Sequence, residues 1–279
     1  MPNAFLFMDE CYNEVTKLSS LTGVVVPLSD YQLLRAAFYG ILEWAVRPEP
    51  NTLGQPPALH GSDFLRGESD DRKLSTLDSL VDLVVENNLR VWRVGYYVTP
   101  TLTAAFQADP KLLGLCWFSM QSMLAPLLSE TQLIPIMDRV PDSQVRAFSG
   151  SIRSLDVMRA WGIDASVENS ANFVGEVFYS ASEYAVFPQL VDVVSYLRHI
   201  CDLDDDGKKL TGFKKLLLER GRRLQPAITE EHLIALKYDG VVQGPADRAR
   251  RGSGAGPITA AASFQPSDPP LPPDEQVDS

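Results

Sequence analysis

The stretch Ala4-Phe5-Leu6-Phe7-Met8-Asp9-Glu10 decides the fold, because five apolar residues are followed there by two adjacent carboxylates. An uninterrupted apolar run of this length is typical of a β-strand that is buried on both faces of its sheet. We expect the strand to leave the core at Asp9 and Glu10, with Asp9 half buried. A buried carboxylate is costly unless a metal ion, an arginine or helix N-terminal amides meet it. The alternative is that Asp9 caps a turn.

The composition is that of an ordinary globular chain with an acidic balance. The 279 residues are 45% hydrophobic and 22% charged, and the formal net charge is -11. This length predicts one large domain or two small ones. The negative charge argues against a protein whose whole surface binds nucleic acid, although it is compatible with a local basic patch.

The sequence predicts neither membrane insertion nor secretion. No apolar run approaches the roughly 18 residues that span a bilayer, and no basic segment precedes the apolar start as in a signal peptide. Cys11, Cys116 and Cys201 lie far apart, match no metal-binding spacing and are typical of reduced cytosolic thiols. We therefore expect a cytoplasmic protein that makes no membrane contact.

Predicted strands and helices alternate along the chain. After the first strand, β-branched or alternating segments predict strands at residues 21–27, 90–98, 132–138 and 173–179. Apolar residues at helical spacing predict helices at residues 33–46, 70–88, 110–128, 143–161 and 189–201. Alternation of this kind indicates an α/β fold.

Three aspartates fall where this fold can bring them together. Asp9 and Asp138 each end an apolar strand, and Asp192 lies near the start of the helix at residues 189–201. If the two strands are neighbours in the sheet, Asp9 and Asp138 converge, and Asp192 points at them from the helix. Such a cluster cannot stay fully ionised without a cation. Oxygen ligands alone favour Mg²⁺ or Mn²⁺, which typically support phosphodiester hydrolysis.

Two further side chains are candidates for proton transfer. Glu10 follows the first aspartate directly, and His60 lies in the segment Leu59-His60-Gly61-Ser62 after a proline-rich stretch. Either side chain could shuttle a proton or position a scissile phosphate. A lone histidine in a loop is otherwise a surface or hydrogen-bonding residue, and this alternative stays open for His60.

The motifs resemble those of the family called domain of unknown function 3800. The start Phe5-Leu6-Phe7-Met8-Asp9-Glu10-Cys11 is similar to its opening strand ending in Asp-Glu-Ser, and Ala58-Leu59-His60-Gly61-Ser62 is similar to its Glu-Leu-His-Gly-Ser motif. Asp138 matches its central strand ending in Asp, and Gln189-Leu190-Val191-Asp192 its Gln-Leu-Ala-Asp motif. The resemblance covers roughly residues 4–201 and implies a ribonuclease H-like mixed sheet flanked by helices.

The chain departs from this family at four places. Cys11 stands for the usual Ser, Ala58 for Glu, and Val191 for Ala. A Ser-Lys pair expected before the last motif is Ser182-Glu183 here. The three aspartates match the family's motifs.

After residue 203 the composition changes, so we expect residues 1–203 to form the α/β domain and residues 204–239 a basic helical extension. Lys208 to Arg223 carries seven basic residues and one acid, with a narrow apolar face, which predicts a basic amphipathic helix. This helix is either a solvated element docked on an acidic domain or an arm that contacts phosphates or an acidic partner. A further short helix is expected at residues 228–237. Residues 240–279 are rich in Gly, Pro, Ala, Ser and Asp, which predicts a disordered tail.

Two functions of different classes follow from the sequence. The first is a metal-dependent nuclease in which Asp9, Asp138 and Asp192 hold Mg²⁺ or Mn²⁺ and Glu10 or His60 handles protons. The second is a catalytically inactive ribonuclease H-like module. It would bind nucleic acid, or a protein partner through residues 207–224.

Overall fold

The computed structural model describes residues 2–13, 15–45, 68–98, 110–138, 177–180 and 186–236. Within these ranges the chain forms six strands, five α-helices and one short 3-10 helix at Gln225–Ala227. In chain order they are β1 (Asn3–Asn13), β2 (Leu18–Pro27), α1 (Tyr31–Ala45), α2 (Asp70–Glu86), β3 (Arg90–Val98), α3 (Pro110–Leu128), β4 (Gln132–Asp138), β5 (Phe178–Ser180), α4 (Val186–Asp205), α5 (Phe213–Arg223) and β6 (Ile228–Leu236).

The six strands form one mixed sheet in the order β5-β4-β1-β2-β3-β6. β1 pairs antiparallel with β2 and parallel with β4, and β2 pairs antiparallel with β3. β6 adds to β3 in parallel, and β5 adds to β4 in parallel. The predicted α/β class is therefore confirmed as a mixed α/β fold.

The opening stretch lies at the centre of this sheet and is buried on both faces, as predicted. Leu6 is 0% exposed and Phe7 is 4% exposed. Because side chains alternate across a strand, Leu6 contributes to the core under α3, and Phe7 to the core under α1, α2, α4 and α5. β1 therefore separates two hydrophobic layers.

The side chains of β1 change from buried at Phe7 and Met8 to partly buried at Asp9 and Glu10, as expected, but the strand itself continues three residues past Glu10. Cys11, Tyr12 and Asn13 pair with Ser20, Ser19 and Leu18 of β2. The Asn13 side chain then accepts hydrogen bonds from the backbone N–H groups of Val15 and Thr16, at 2.9 and 3.0 Å, and so turns the chain. Cys11, Tyr12 and Asn13 thus belong to the strand because they pair with β2, although they do not continue its apolar run.

Helix α3 packs closely on the sheet over Gly23, so a larger residue there would displace the ends of neighbouring side chains. A Cβ atom on Gly23 would lie 2.9 Å from Leu6 Cδ1 and 3.0 Å from Met120 Sδ. Met120 is 0% exposed, and Leu124 one turn later is also 0% exposed. The nearly continuous apolar pattern of α3 thus reflects a helix sandwiched against β2 and β3.

The C-terminal part of the described chain departs from the prediction. Residues 228–236 form β6 and not a short helix, and α5 begins at Phe213 rather than at Lys208. Gly212, with φ 55°, turns the chain immediately before α5. The segment predicted as a helical extension therefore contributes a strand to the same sheet as β1.

A buried ion network joins β3, α4 and β6. The Arg93 guanidinium donates to both Asp202 oxygens, at 2.9 and 2.5 Å, and to Glu231 Oε1 at 3.0 Å. Arg198 Nη2 donates to Glu231 Oε2 at 2.9 Å. Arg93 and Arg198 are each 1% exposed. Burial would raise the pKa of Glu231, but Arg93 and Arg198 outweigh it and hold that pKa below its usual value.

Within the ranges given above, no helix is both long enough and apolar enough to cross a membrane. Several predictions fall outside the described residues, so the structure does not address them. They are the loop carrying His60, the helix at residues 143–161, most of the strand at residues 173–179 and the tail at residues 240–279.

Removing one carboxylate from the buried network should be far more costly than removing one from the surface. We expect Asp202→Asn to lower the free energy of unfolding by about 3–5 kcal/mol, because it leaves Arg93 charged and buried with one carboxylate fewer. The matched control is Asp204→Asn, two residues along α4, whose surface ion pair with Arg222 spans 2.7 Å. Its cost should be below about 1 kcal/mol. Urea unfolding of both variants checks this, and equal costs would contradict it.

Candidate functional site

Asp9 and Asp138 lie side by side on the central strands. β1 and β4 run parallel, with Met8 paired to Met137, so the next residue on each strand is an aspartate. Asp9 shares its sheet face with Phe7, and Asp138 shares the same face with Ile136. The condition set by the sequence, that the first and fourth strands be neighbours, is met. Asp9 is half buried, as expected from the sequence.

Helix α4 crosses this face and contributes Asp192 and Ser195. The helix packs over β1 and β2 because Leu190, Val194 and Leu197 are buried among the apolar residues of the sheet. Ser195 donates a hydrogen bond to the Asp9 carboxylate. The Thr22 hydroxyl in turn donates to Ser195 Oγ at 3.4 Å. This two-step chain of hydroxyls holds Asp9 in place from the neighbouring strand.

The surroundings of Asp9 oppose its ionisation. Burial raises the pKa of Asp9 well above its usual value, and the carboxylates of Asp192, Glu10 and Asp138, in that order, raise it further. Only the hydrogen bond from Ser195 lowers it. The three predicted aspartates and Glu10 are therefore close enough to repel one another, which is the condition under which a carboxylate takes up a proton or a cation.

Glu10 lies on the opposite face of β1 yet belongs to the same electrostatic group. Burial is the largest cause of the raised pKa of Glu10. A hydrogen bond from its own backbone N–H opposes the rise, and the charges of Asp138 and Asp192 add to it. Its Oε2 atom is buried, and the described residues supply it with no hydrogen-bond partner. A carboxyl group in such surroundings holds a proton near neutral pH more readily than an exposed glutamate.

The donor set fits a hard divalent cation in its chemistry. Asp9, Asp138 and Asp192 offer only carboxylate oxygens, the ligands preferred by Mg²⁺ and Mn²⁺. In the part of the chain that the structure describes, no group of three or more His, Cys, Asp or Glu side chains is arranged closely enough to hold a metal ion. The repulsion between these carboxylates and the absence of a metal-binding arrangement are compatible. Carboxylates repel one another over distances much longer than a metal–oxygen bond, which is about 2 Å.

Sequence reasoning missed two polar residues of this face, Ser195 and His199. The detectable signal was their spacing with Asp192, because residues three, four and seven apart lie on one side of a helix. His199 Nδ1 lies 3.9 Å from Cys11 Sγ, and its ring stacks on Tyr196 with centroids 6.3 Å apart. Burial lowers the pKa of His199, so its imidazole is neutral at neutral pH. His60, predicted for a proton-transfer role, lies outside the described residues.

Cys11 contributes no nucleophile. Burial raises the pKa of its thiol to about 12, although the nearby Arg93 opposes the rise. A thiol in this state stays protonated, and the thiolate is the reactive form. None of the three cysteines forms a disulfide.

Comparison with known proteins gives no relatives: no family model, no curated protein and no solved structure matches this chain.

The raised pKa of Asp9 predicts a distinctive dependence of stability on pH. A group whose pKa is raised by folding stabilises the protein at low pH and loses that contribution as pH rises through the folded-state pKa. In EDTA, Asp9→Asn should therefore gain stability relative to the parent as pH rises above about 4, the pKa of an unfolded aspartate. Urea unfolding at a series of pH values measures this.

The control for this experiment is Glu43→Gln, an exposed carboxylate on α1. Because this side chain is exposed, its replacement should change the free energy of unfolding by less than about 0.5 kcal/mol. A structural, capping Asp9 would instead make Asp9→Asn less stable than the parent by about 1–3 kcal/mol at neutral pH. That result would contradict the repulsion argued here.

Proposed function

We propose that the protein is a metal-dependent phosphodiesterase acting on nucleic acid, a nuclease. The observation that carries this proposal is the placement of Asp9 beside Asp138 on the parallel strands β1 and β4, under the helix that contributes Asp192. A structural role for one aspartate accounts poorly for this arrangement, because Asp192, Glu10 and Asp138 each raise the pKa of Asp9 beyond the effect of burial. Strongly perturbed carboxylates of this kind tend to mark functional sites.

In this proposal Asp9, Asp138 and Asp192 hold Mg²⁺ or Mn²⁺. The bound ion supplies an activated water and charge stabilisation for the leaving oxygen. Ser195 keeps the Asp9 carboxylate oriented through its hydrogen bond. Glu10, buried and with a raised pKa, is suited to hold a proton on its carboxyl group. The neutral ring of His199, one turn beyond Ser195 on α4, is a second group able to accept one.

We also propose a ribonuclease H-like identity for the fold and membership of the domain of unknown function 3800 family, as the sequence resemblance implies. The support is the mixed sheet whose central strand carries Asp9 beside Asp138 of its parallel neighbour. The motif ending in Asp192 lies within α4, the helix that crosses these strands. A cytoplasmic location is proposed from the three cysteines that form no disulfide.

The basic segment divides into two sets of residues with different surroundings. The arginines of α5 are ion-paired: Arg220 and Arg223 with Asp78 of α2, and Arg222 with Asp204 of α4. These contacts support the interpretation of α5 as a helix docked on an acidic surface. The lysine group, which we define as Lys208, Lys209, Lys214 and Lys215, is instead exposed. Within the described chain it makes no ion pair.

The lysine group favours nucleic acid among the possible partners. Lys214 and Lys215 lie on α5, which packs against α4, the helix that carries Asp192 and His199. A phosphate backbone that passes the carboxylates could then continue to the lysines. The same surface serves the second candidate, an inactive module that binds nucleic acid or an acidic protein through residues 207–224.

The cleavage experiment separates the two candidates. The parent should cleave members of a panel of DNA and RNA oligonucleotides in Mn²⁺ and none in EDTA. Asp9→Asn, Asp138→Asn and Asp192→Asn should each lower the rate by at least about 100-fold, as expected when a metal ligand is lost. The control Asp204→Asn should retain the parent rate. Equal cleavage by the parent and all three variants would contradict the nuclease, and no cleavage by the parent would favour the inactive module.

A separate binding experiment tests the lysine group. Changing its four lysines to glutamine should weaken binding of an oligonucleotide and flatten its salt dependence, because fewer counterions are released. Changing Arg220 and Arg222 to glutamine is the control, because those arginines already pair with acids of the domain. Unchanged affinity and an unchanged salt slope in the lysine variant would favour a solvated surface without a phosphate partner.

A further inference from the structure

An open aromatic groove lies on the same sheet face as the carboxylates. Its volume is about 360 Å³, and it is lined chiefly by Phe5, Phe7, Tyr31, Ile136, Phe178 and Ser180. Four of these six side chains are aromatic. Among the described residues that line the groove, none is charged.

The groove has a rigid base and an exposed rim. Tyr31 lies edge-on to Phe5 with centroids 5.1 Å apart, and Phe187 of α4 stacks on Phe7 at 5.0 Å. Phe187 is 1% exposed, so these contacts fix the floor of the groove from below. Phe178 on β5, in contrast, is 54% exposed. A large aromatic side chain that remains open to solvent beside other aromatic rings is suited to contact a ligand.

The groove is continuous with the candidate site. Phe7 precedes Asp9 by two residues on β1, and Ile136 precedes Asp138 by two residues on β4, which places the nearest wall of the groove about 7 Å from the carboxylates. Ser180, at the end of the groove, pairs directly with Asp138. A ligand that reaches the carboxylates therefore passes the groove or fills it.

The chemistry of the lining selects one part of a nucleic acid. The lining residues that the structure describes offer a phosphate no positive charge. A planar, weakly polar ring finds aromatic faces to stack on and two hydroxyls, those of Tyr31 and Ser180, as hydrogen-bonding groups. Bases inside a duplex are already stacked and paired, so only an unpaired base can enter such a groove without first being unstacked.

We propose that this groove is a base-binding subsite for single-stranded nucleic acid, in which one nucleobase stacks against Phe178 and Tyr31 next to the carboxylates. The inference rests on the proposed nucleic-acid function and adds the substrate class, an unpaired strand. A bound single strand would then follow helix α4 past three parts of the surface in turn. These parts are the groove at Phe187, the carboxylates at Asp192 and the lysine group beyond His199.

The test compares strands with and without bases. Binding is measured in Ca²⁺ for single-stranded oligothymidylate and oligouridylate, and for abasic strands of the same lengths with the same phosphates. Phe178→Ala should weaken binding of the base-bearing strands by about 5- to 150-fold, the range that stacking of one base on one aromatic ring supplies. Binding of the abasic strands should not change. Phe178→Trp should restore base-dependent binding because it keeps an aromatic face.

The matched control is Tyr12→Ala, which removes an exposed aromatic ring from the other end of β1, outside the groove. It should leave binding of every strand unchanged. The subsite is contradicted if the parent binds base-bearing and abasic strands equally, or if Phe178→Ala weakens both kinds of strand to the same extent or neither. Cleavage in Mn²⁺ is scored in parallel. If the parent shows base-dependent binding but no cleavage, the base-binding subsite is supported and the nuclease activity is contradicted. If the parent cleaves but binds base-bearing and abasic strands equally, the nuclease activity is supported and the subsite is contradicted.

Discussion

The structure depends on a carboxylate held at the centre of a hydrophobic sheet. Asp9 follows five apolar residues on β1, and those residues are buried because both faces of the strand are covered by helices. The same burial that drives β1 into the core makes ionisation of Asp9 unfavourable. The sheet can move neither Asp9 nor Asp138 away without breaking the parallel pairing of β1 with β4. The fold thus imposes the repulsion and keeps it at one place.

Helix α4 links this repulsion to the rest of the molecule. Its apolar residues fill the layer above β1, and its polar residues Asp192, Ser195 and His199 face the site. Further along, Asp202 and Arg198 enter the buried ion network with Arg93 and Glu231. The positive charges of these two buried arginines are balanced by Asp202 and Glu231. The ion pairs fix the end of α4 against β3 and β6. A helix anchored in this way can hold an acid next to other acids.

Much of the architecture was readable from local pattern. The bounds of β3 and β4 match the predicted ones residue for residue, since each has β-formers in an apolar run between turn signals. The sequence predicted that Asp9 and Asp138 converge if their strands are neighbours, and the pairing of β1 with β4 meets that condition. What local pattern could not supply was pairing. β1 is longer than its apolar run because Cys11, Tyr12 and Asn13 find partners on β2.

The same reason explains the missed strand β6. Ile228, Leu233 and Leu236 have no clean alternation, and the segment is a strand because β3 offers a parallel partner across a bulge and Arg93 offers a charge to Glu231. Both contacts join residues more than a hundred positions apart, which no window of local sequence contains. His199 and Ser195 were overlooked for a different reason. They lie in a helix whose apolar residues predict packing against the sheet. The sequence signal for Ser195 and His199 is their spacing of three and seven residues from Asp192, which puts them on the same side of the helix.

The most direct measurement of a carboxylate metal site is the melting temperature of the parent and of Asp9→Asn, each in EDTA and in Mn²⁺. Mn²⁺ should raise the melting temperature of the parent, because an ion that binds only the folded state stabilises it in proportion to its occupancy. Asp9→Asn should show no shift with Mn²⁺, and in EDTA at neutral pH it should melt at or above the parent because one repulsive charge is gone. A parent that does not respond to Mn²⁺, or a variant destabilised equally in both buffers, would contradict a metal site at Asp9.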